Sequence, residues 1–153
     1  MRNRWGKGAL IALGALGGAF LILAFALQVP AIGHTIGSPT ACGTCHVMTD
    51  QVLSLERGMH RELACVECHI PSGFFAKPIE EIKAASRHAA VFLTNSTPDV
   101  ITATDSSRDI IQARCIECHA AFLRETSLVH HPTDGLKCFE CHRDTTHGLP
   151  LRN

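Results

Sequence analysis

The chain has 153 residues, and its 14 basic residues balance 14 acidic ones, so it lacks the cationic footprint that nucleic-acid binding requires. That length allows one modest domain plus its end segments. With no tyrosine, one tryptophan and seven phenylalanines, the polypeptide alone has little from which to build an ordinary core.

Arg2, Arg4 and Lys7 precede an uncharged run from Gly8 to Leu27. At 1.5 Å per residue such a helix is about 30 Å long, the thickness of a hydrocarbon core. The pattern predicts a cytoplasmic N-terminus over 1–7, a transmembrane anchor over 8–27 in the lipid bilayer, and a periplasmic domain over 28–153. Trp5 sits where an interfacial anchor is expected. Ala24-Phe25-Ala26 resembles a signal-peptidase site, so a cleaved leader is the competing reading. The apolar run is longer than an ordinary leader core, however, and continues through Val29, Ala31 and Ile32. Gly14 and Gly18 have G-x-x-x-G spacing, which a segment so rich in Gly and Ala produces by chance.

Four C-x-x-C-H motifs follow: Cys42–Cys45–His46, Cys65–Cys68–His69, Cys115–Cys118–His119 and Cys138–Cys141–His142. They use all eight cysteines. Four C-x-x-C pairs also fit two zinc sites or four disulfides, but neither requires a histidine directly after each second cysteine. The motif is the attachment signal for c-type haem, in which both thiols bond to the macrocycle and the histidine ligates iron. Four covalently bound haem c groups are therefore expected, together with an exported location where such attachment takes place. The macrocycles would supply apolar surface that the short chain lacks.

Cys42 to Cys65 and Cys115 to Cys138 are both steps of 23 residues, separated by 50. This suggests two di-haem halves, at about 40–94 and 108–149. Glutamate precedes the second cysteine in the last three motifs, while the first has Thr44 there and Met48 two residues beyond its histidine. After the second motif a helix is expected from near Pro78, with Ile79, Ile82, Ser86, Ala89 and Leu93 as its packing stripe. Lys77, Glu81, Ala84 and His88 lie on its flank. Asn95 to Ser107 reads as a loop, a short helix is expected from about Arg108 to Cys115, and another from Ala120 to Val129. No run reads as a strand. The fold class is mainly α with much irregular structure: one transmembrane helix plus a small multihaem domain of short helices.

His46, His69, His119 and His142 are proximal iron ligands by their motifs, with Met48 competing for the first iron. His34, His60, His88, His130, His131 and His147 remain as distal candidates or surface residues. With its anchor, its four motifs and the C-x-x-C-H-x-M start, the chain resembles the NapC/NirT family of membrane-bound quinol dehydrogenases, in particular the members that serve cytochrome c nitrite reductase. The resemblance covers nearly the whole chain. It implies a periplasmic tetrahaem domain that oxidises menaquinol or ubiquinol from the membrane pool at the first haem and passes electrons to a periplasmic multihaem reductase.

The same resemblance implies Met48 rather than His46 on the first iron, and His60 and His147 as distal ligands of the third and fourth haems. In such members a lysine of the catalytic partner completes one haem, whereas longer members carry a histidine before the fourth motif. His130 and His131 lie in that neighbourhood, so the second haem could be completed from within this chain. Pro132 restricts the backbone at His131. His88 falls where the family has an acidic residue beside the first haem, and Glu81 where it has a lysine; Lys77 is near. His88, Glu81 and Lys77 are thus candidates for the quinol site, His88 also being open to iron ligation or a solvated role. An electron-transfer subunit without its own quinone site is the alternative function, as are service to another reductase and operation in reverse.

Overall fold

A computed structural model describes residues 4–27, 29–125, 135–145 and 147. Among them the chain forms helices and turns with no strand, as expected. Helix α1, Arg4–Leu27, is 24 residues long and contains an apolar span at Gly6–Ala26 long enough to cross a membrane. It starts earlier than the uncharged run because nothing before Gly8 breaks a helix, and a lysine near a membrane end can extend its charge outward. Its side chains are exposed to their surroundings, which suits a helix whose neighbours are lipid.

Helix α2, Pro30–Ile36, leads through Gly37 and Ser38 into α3, Pro39–Cys42. Ser38 joins the two: its hydroxyl donates to Thr35 O at 2.9 Å and accepts from Ala41 N at 3.1 Å, capping α3 ahead of Pro39. A 3₁₀ turn, His46–Met48, then runs into α4, Thr49–Arg57. Asp50 in its first turn and Arg57 in its last complement the helix dipole.

Helices α5, Cys65–His69, and α8, Cys138–Cys141, are single turns that coincide with the second and fourth motifs. The glutamate inside each motif explains why. Glu67 accepts from Ala64 N at 2.7 Å and Glu140 from Lys137 N at 2.9 Å, satisfying a donor that the helix start would otherwise leave open. Glu140→Ala should lower stability by about 1–2 kcal/mol, since it removes this cap and the partner of Arg108. The check is thermal unfolding of the haem-loaded protein at unchanged haem stoichiometry.

Helix α6, Ala76–Leu93, begins two residues before the expected Pro78, which sits in the first turn where its missing N–H costs nothing. Asn95 ends it in the left-handed region at φ 49°. Helix α7, Asp105–Glu125, unites the two short helices expected around the third motif. No Gly or Pro interrupts it, and Thr104 caps it through Ser107 N at 3.3 Å. The motif is helical in itself, so it propagates α7 rather than dividing it. The rest of the helix expected to run to Val129 lies outside the described residues.

Helix α7 is the spine of the haem region. Arg114 donates to Glu67 O at 2.7 Å and pairs with Glu117, which also accepts from Ser72 at 2.9 Å. Toward its start, Arg108 meets Glu140 at 2.6 Å and lies 5.4 Å from the Phe139 ring centre. Asp109 pairs with Lys137, and Gln112 accepts from Cys138 N at 2.7 Å. The helix bearing the third motif therefore grips the second motif on one side and the fourth on the other. Leu55, Ala64, Ile70 and Pro78 are the buried apolar side chains among the described residues. So small a core does not by itself stabilise a domain of this length, which is the situation covalent macrocycles relieve.

Candidate functional site

The four attachment motifs differ in local form. The first straddles the end of α3 and a turn, in which Gly43 N donates to Pro39 O at 2.8 Å and Thr44 Oγ1 to Ala41 O at 2.7 Å. Thr44 thus serves the preceding helix end, where glutamate in the other motifs serves a helix start or an ion pair. The eight thiols stand unbridged, and no cluster of three or more metal-ligating side chains occurs among the described residues.

Adjacent motifs meet through their cysteines in chain order. Cys42 hydrogen-bonds Cys65, which holds the Cys42 thiol down at about 7 and pushes Cys65 up. Cys68 lies within electrostatic reach of Cys118 and Cys115, and Cys115 within reach of Cys138. Motif one therefore neighbours motif two, two neighbours three, and three neighbours four.

Two pairs of histidine rings face one another. His60 and His119 have centroids 6.0 Å apart and planes at 84°; His69 and His147 are 6.2 Å apart with planes at 64°. A metal–imidazole bond of about 2 Å, with each ring centre about 1.2 Å behind its nitrogen, puts two trans imidazoles about 6.3 Å apart. The separation of both pairs leaves room for an iron between them, which the two rings of each pair would hold. His60 Nδ1–H donates to Thr145 O at 2.7 Å. His147 Nδ1–H reaches Gln51 O at 3.1 Å and Ser54 Oγ at 3.2 Å. Each bond fixes the tautomer and leaves Nε2 for a metal, as outer-shell carbonyls do at histidine ligands.

His147 faces His69 of the second motif and not the fourth, because Gln51 and Ser54 on α4 hold its imidazole there. The second motif consequently has a facing ring without His130 or His131, which lie outside the described residues. His60 faces His119 of the third motif. Around His69, the enclosing protein, then His147 and His88, hold the imidazole below its usual pKa. His46 is exposed and Met48 half-buried, both in the 3₁₀ turn after the first motif. His142 closes α8, its N–H bonded to Cys138 O at 2.9 Å.

Of the quinol candidates, Lys77 and Glu81 come together on one face of α6, and the lysine charge acts on the carboxylate. Burial nonetheless raises the Glu81 pKa, and its Oε2 is shut from solvent with no hydrogen-bond partner among the described residues. His88, farther along α6, is exposed and within electrostatic reach of His69. Gln51, Ser54, Thr145 and Arg114 escape a sequence reading, because their roles depend on partners 47 to 96 residues away.

Comparison with known proteins agrees with this arrangement. Residues 1–152 match the family model described as NapC/NirT cytochrome c family, N-terminal region. The cytochrome c-type protein NrfH of Wolinella succinogenes is 30% identical over 129 residues, which cover 77% of this chain and 73% of that protein. The cytochrome c nitrite reductase subunit NrfH of Nitratidesulfovibrio vulgaris is 26% identical, covering 86% and 81%. In a crystal structure of the cytochrome c nitrite reductase NrfHA complex bound to the HQNO inhibitor, one chain superposes with a TM-score of 0.69 at 26% identity, over 88% of this chain and 90% of that one. With four haem-attachment motifs, an apolar N-terminal helix and a family match over almost its full length, this chain belongs to the NapC/NirT cytochrome c family.

Proposed function

We propose that the chain is a membrane-anchored tetrahaem cytochrome that oxidises menaquinol or ubiquinol and relays the electrons to the catalytic subunit of a periplasmic, ammonia-forming nitrite reductase. The observation that carries this reading is the unbroken succession of attachment motifs behind a single apolar helix, in a chain similar to NrfH proteins. Residues 1–7 stay in the cytoplasm by the positive-inside rule, 8–27 cross the bilayer, and 28–153 form the periplasmic domain with halves at about 40–94 and 108–149.

Bound through the eight cysteines, four haems supply one-electron carriers. The residues do the rest. Motif one lies at the end of the membrane-proximal segment and receives the electrons, with Met48 the preferred iron ligand over His46. His119 with His60, and His69 with His147, would be the residues that hold iron, while Thr145, Gln51 and Ser54 orient the His60 and His147 rings. His142 would hold the fourth iron.

Quinol releases two electrons and two protons. Glu81, with an unpartnered oxygen and a raised pKa, accepts a proton from a quinol hydroxyl; Lys77 tempers its charge, and His88 passes protons to solvent. Only the carboxylate form is a base, so the rate falls as pH drops through the raised Glu81 pKa. Glu81→Gln should slow quinol-driven haem reduction about 10²-fold and flatten that acid limb, leaving dithionite reduction unchanged. His88→Ala should slow it about tenfold. The decisive assay follows haem reduction in proteoliposomes with menaquinol and ubiquinol analogues. Haems that stay oxidised with both, and an HQNO titration that leaves the spectrum untouched, would favour a subunit fed by another membrane protein.

A further inference from the structure

We infer that Gly37 is a positioning residue that sets the spacing between the first and second haem-attachment motifs. Gly37 is buried at the junction of α2 and α3, five residues before Cys42. A Cβ built there would lie 2.1 and 2.4 Å from the two methyl carbons of Val66 and 2.7 Å from its Cβ. Rotation of the Val66 side chain moves the methyls but not the Cβ, which is fixed to the backbone of α5. The Gly37 backbone therefore packs against a side-chain atom that cannot turn away, and a single added methyl forces the two segments apart. The φ of Gly37 lies outside the left-handed region, so the glycine serves space and not backbone freedom.

Val66 stands between Cys65 and Glu67 inside the second motif, and the Cys65 sulfur lies within reach of the Cys42 sulfur. Gly37 thus presses the chain leaving the membrane onto the motif whose first cysteine meets the first cysteine of motif one. Gly8, Gly14, Gly17 and Gly18 of α1 by contrast face open space, and a Cβ at Gly43 approaches nothing nearer than 3.0 Å. Separation at this point lengthens the first step of the relay, so the inference rests on the proposed entry at motif one for its kinetic consequence. Its geometric consequence is independent of that reading.

The test uses the full-length haem-loaded protein as Gly37→Ala, Gly37→Ala/Val66→Ala, Gly37→Ala/Val66→Gly and Val66→Gly alone. Two readouts are taken: the magnetic interaction between the first and second haems by EPR, which needs no quinol, and haem reduction by a menaquinol analogue in proteoliposomes. Gly37→Ala should weaken the interaction and slow reduction at least tenfold. Val66→Ala should restore both in part, because its Cβ remains, and Val66→Gly should restore both to within about twofold of the Val66→Gly control. Should Gly37→Ala lose a haem, the same graded recovery of haem content by Val66→Ala and Val66→Gly supports the inference. An undisturbed EPR interaction in Gly37→Ala, or a defect that neither Val66 variant relieves, overturns it. Failure of wild-type reduction by quinol, with the EPR result intact, would instead count against the proposed function.

Discussion

Replacing His60 with alanine is expected to leave four haems attached while converting one from low-spin to high-spin. The variant removes the ring facing His119 at 6.0 Å but touches no cysteine and no motif histidine. Electron delivery from quinol to an external acceptor should fall at least about tenfold, since the iron loses a strong ligand and must reorganise at each turnover. Added imidazole should recover the low-spin spectrum. The ring planes cross at 84°, and an iron held between them would have nearly degenerate π-type d orbitals. The EPR signal lost should therefore be more anisotropic than the one lost in His147→Ala, whose planes meet at 64°. An unaltered low-spin spectrum in His60→Ala would remove His60 from the coordination sphere.

Met48→His should lower the potential of the first haem, because a thioether favours ferrous iron relative to imidazole. A drop of about 100 mV makes each electron transfer from quinol less favourable by about 2.3 kcal/mol, close to fifty-fold in the equilibrium. Quinol should then reduce the chain poorly while dithionite still reduces every haem. The measurement is a spectroelectrochemical titration beside the proteoliposome assay. His46→Ala is the companion: if Met48 holds the iron, it leaves that potential within a few tens of millivolts, and if His46 does, it moves the potential instead.

What the sequence made legible follows the range of the interactions involved. The apolar N-terminal helix, the attachment motifs and the helical class rest on local periodicity and spacing, and the structure is helical without strands among the described residues. The shared glutamate stood out in sequence without a cause. The structure supplies different ones for different copies: a helix-start cap at Glu67 and Glu140, and pairing with Arg114 and Ser72 at Glu117, inside a longer helix. The pairing of distal histidines was not legible, because His147 reaches across 96 residues to Gln51 and no local pattern encodes that distance. Gly37 escaped for a similar reason: its constraint comes from Val66, beyond two intervening helices.

The crossing of the two distal histidines also orders the birth of the molecule. His69 comes well before the ring that faces it, His147, and His60 is oriented by Thr145, 85 residues downstream. If the haem region crosses the membrane in sequence order, its second and third motifs would be open to attachment before their far sides can close. Thr145 and His147 would then act as a clasp that fastens late, so a chain cut short before Thr145 should keep its haems but leave two of them loosely held.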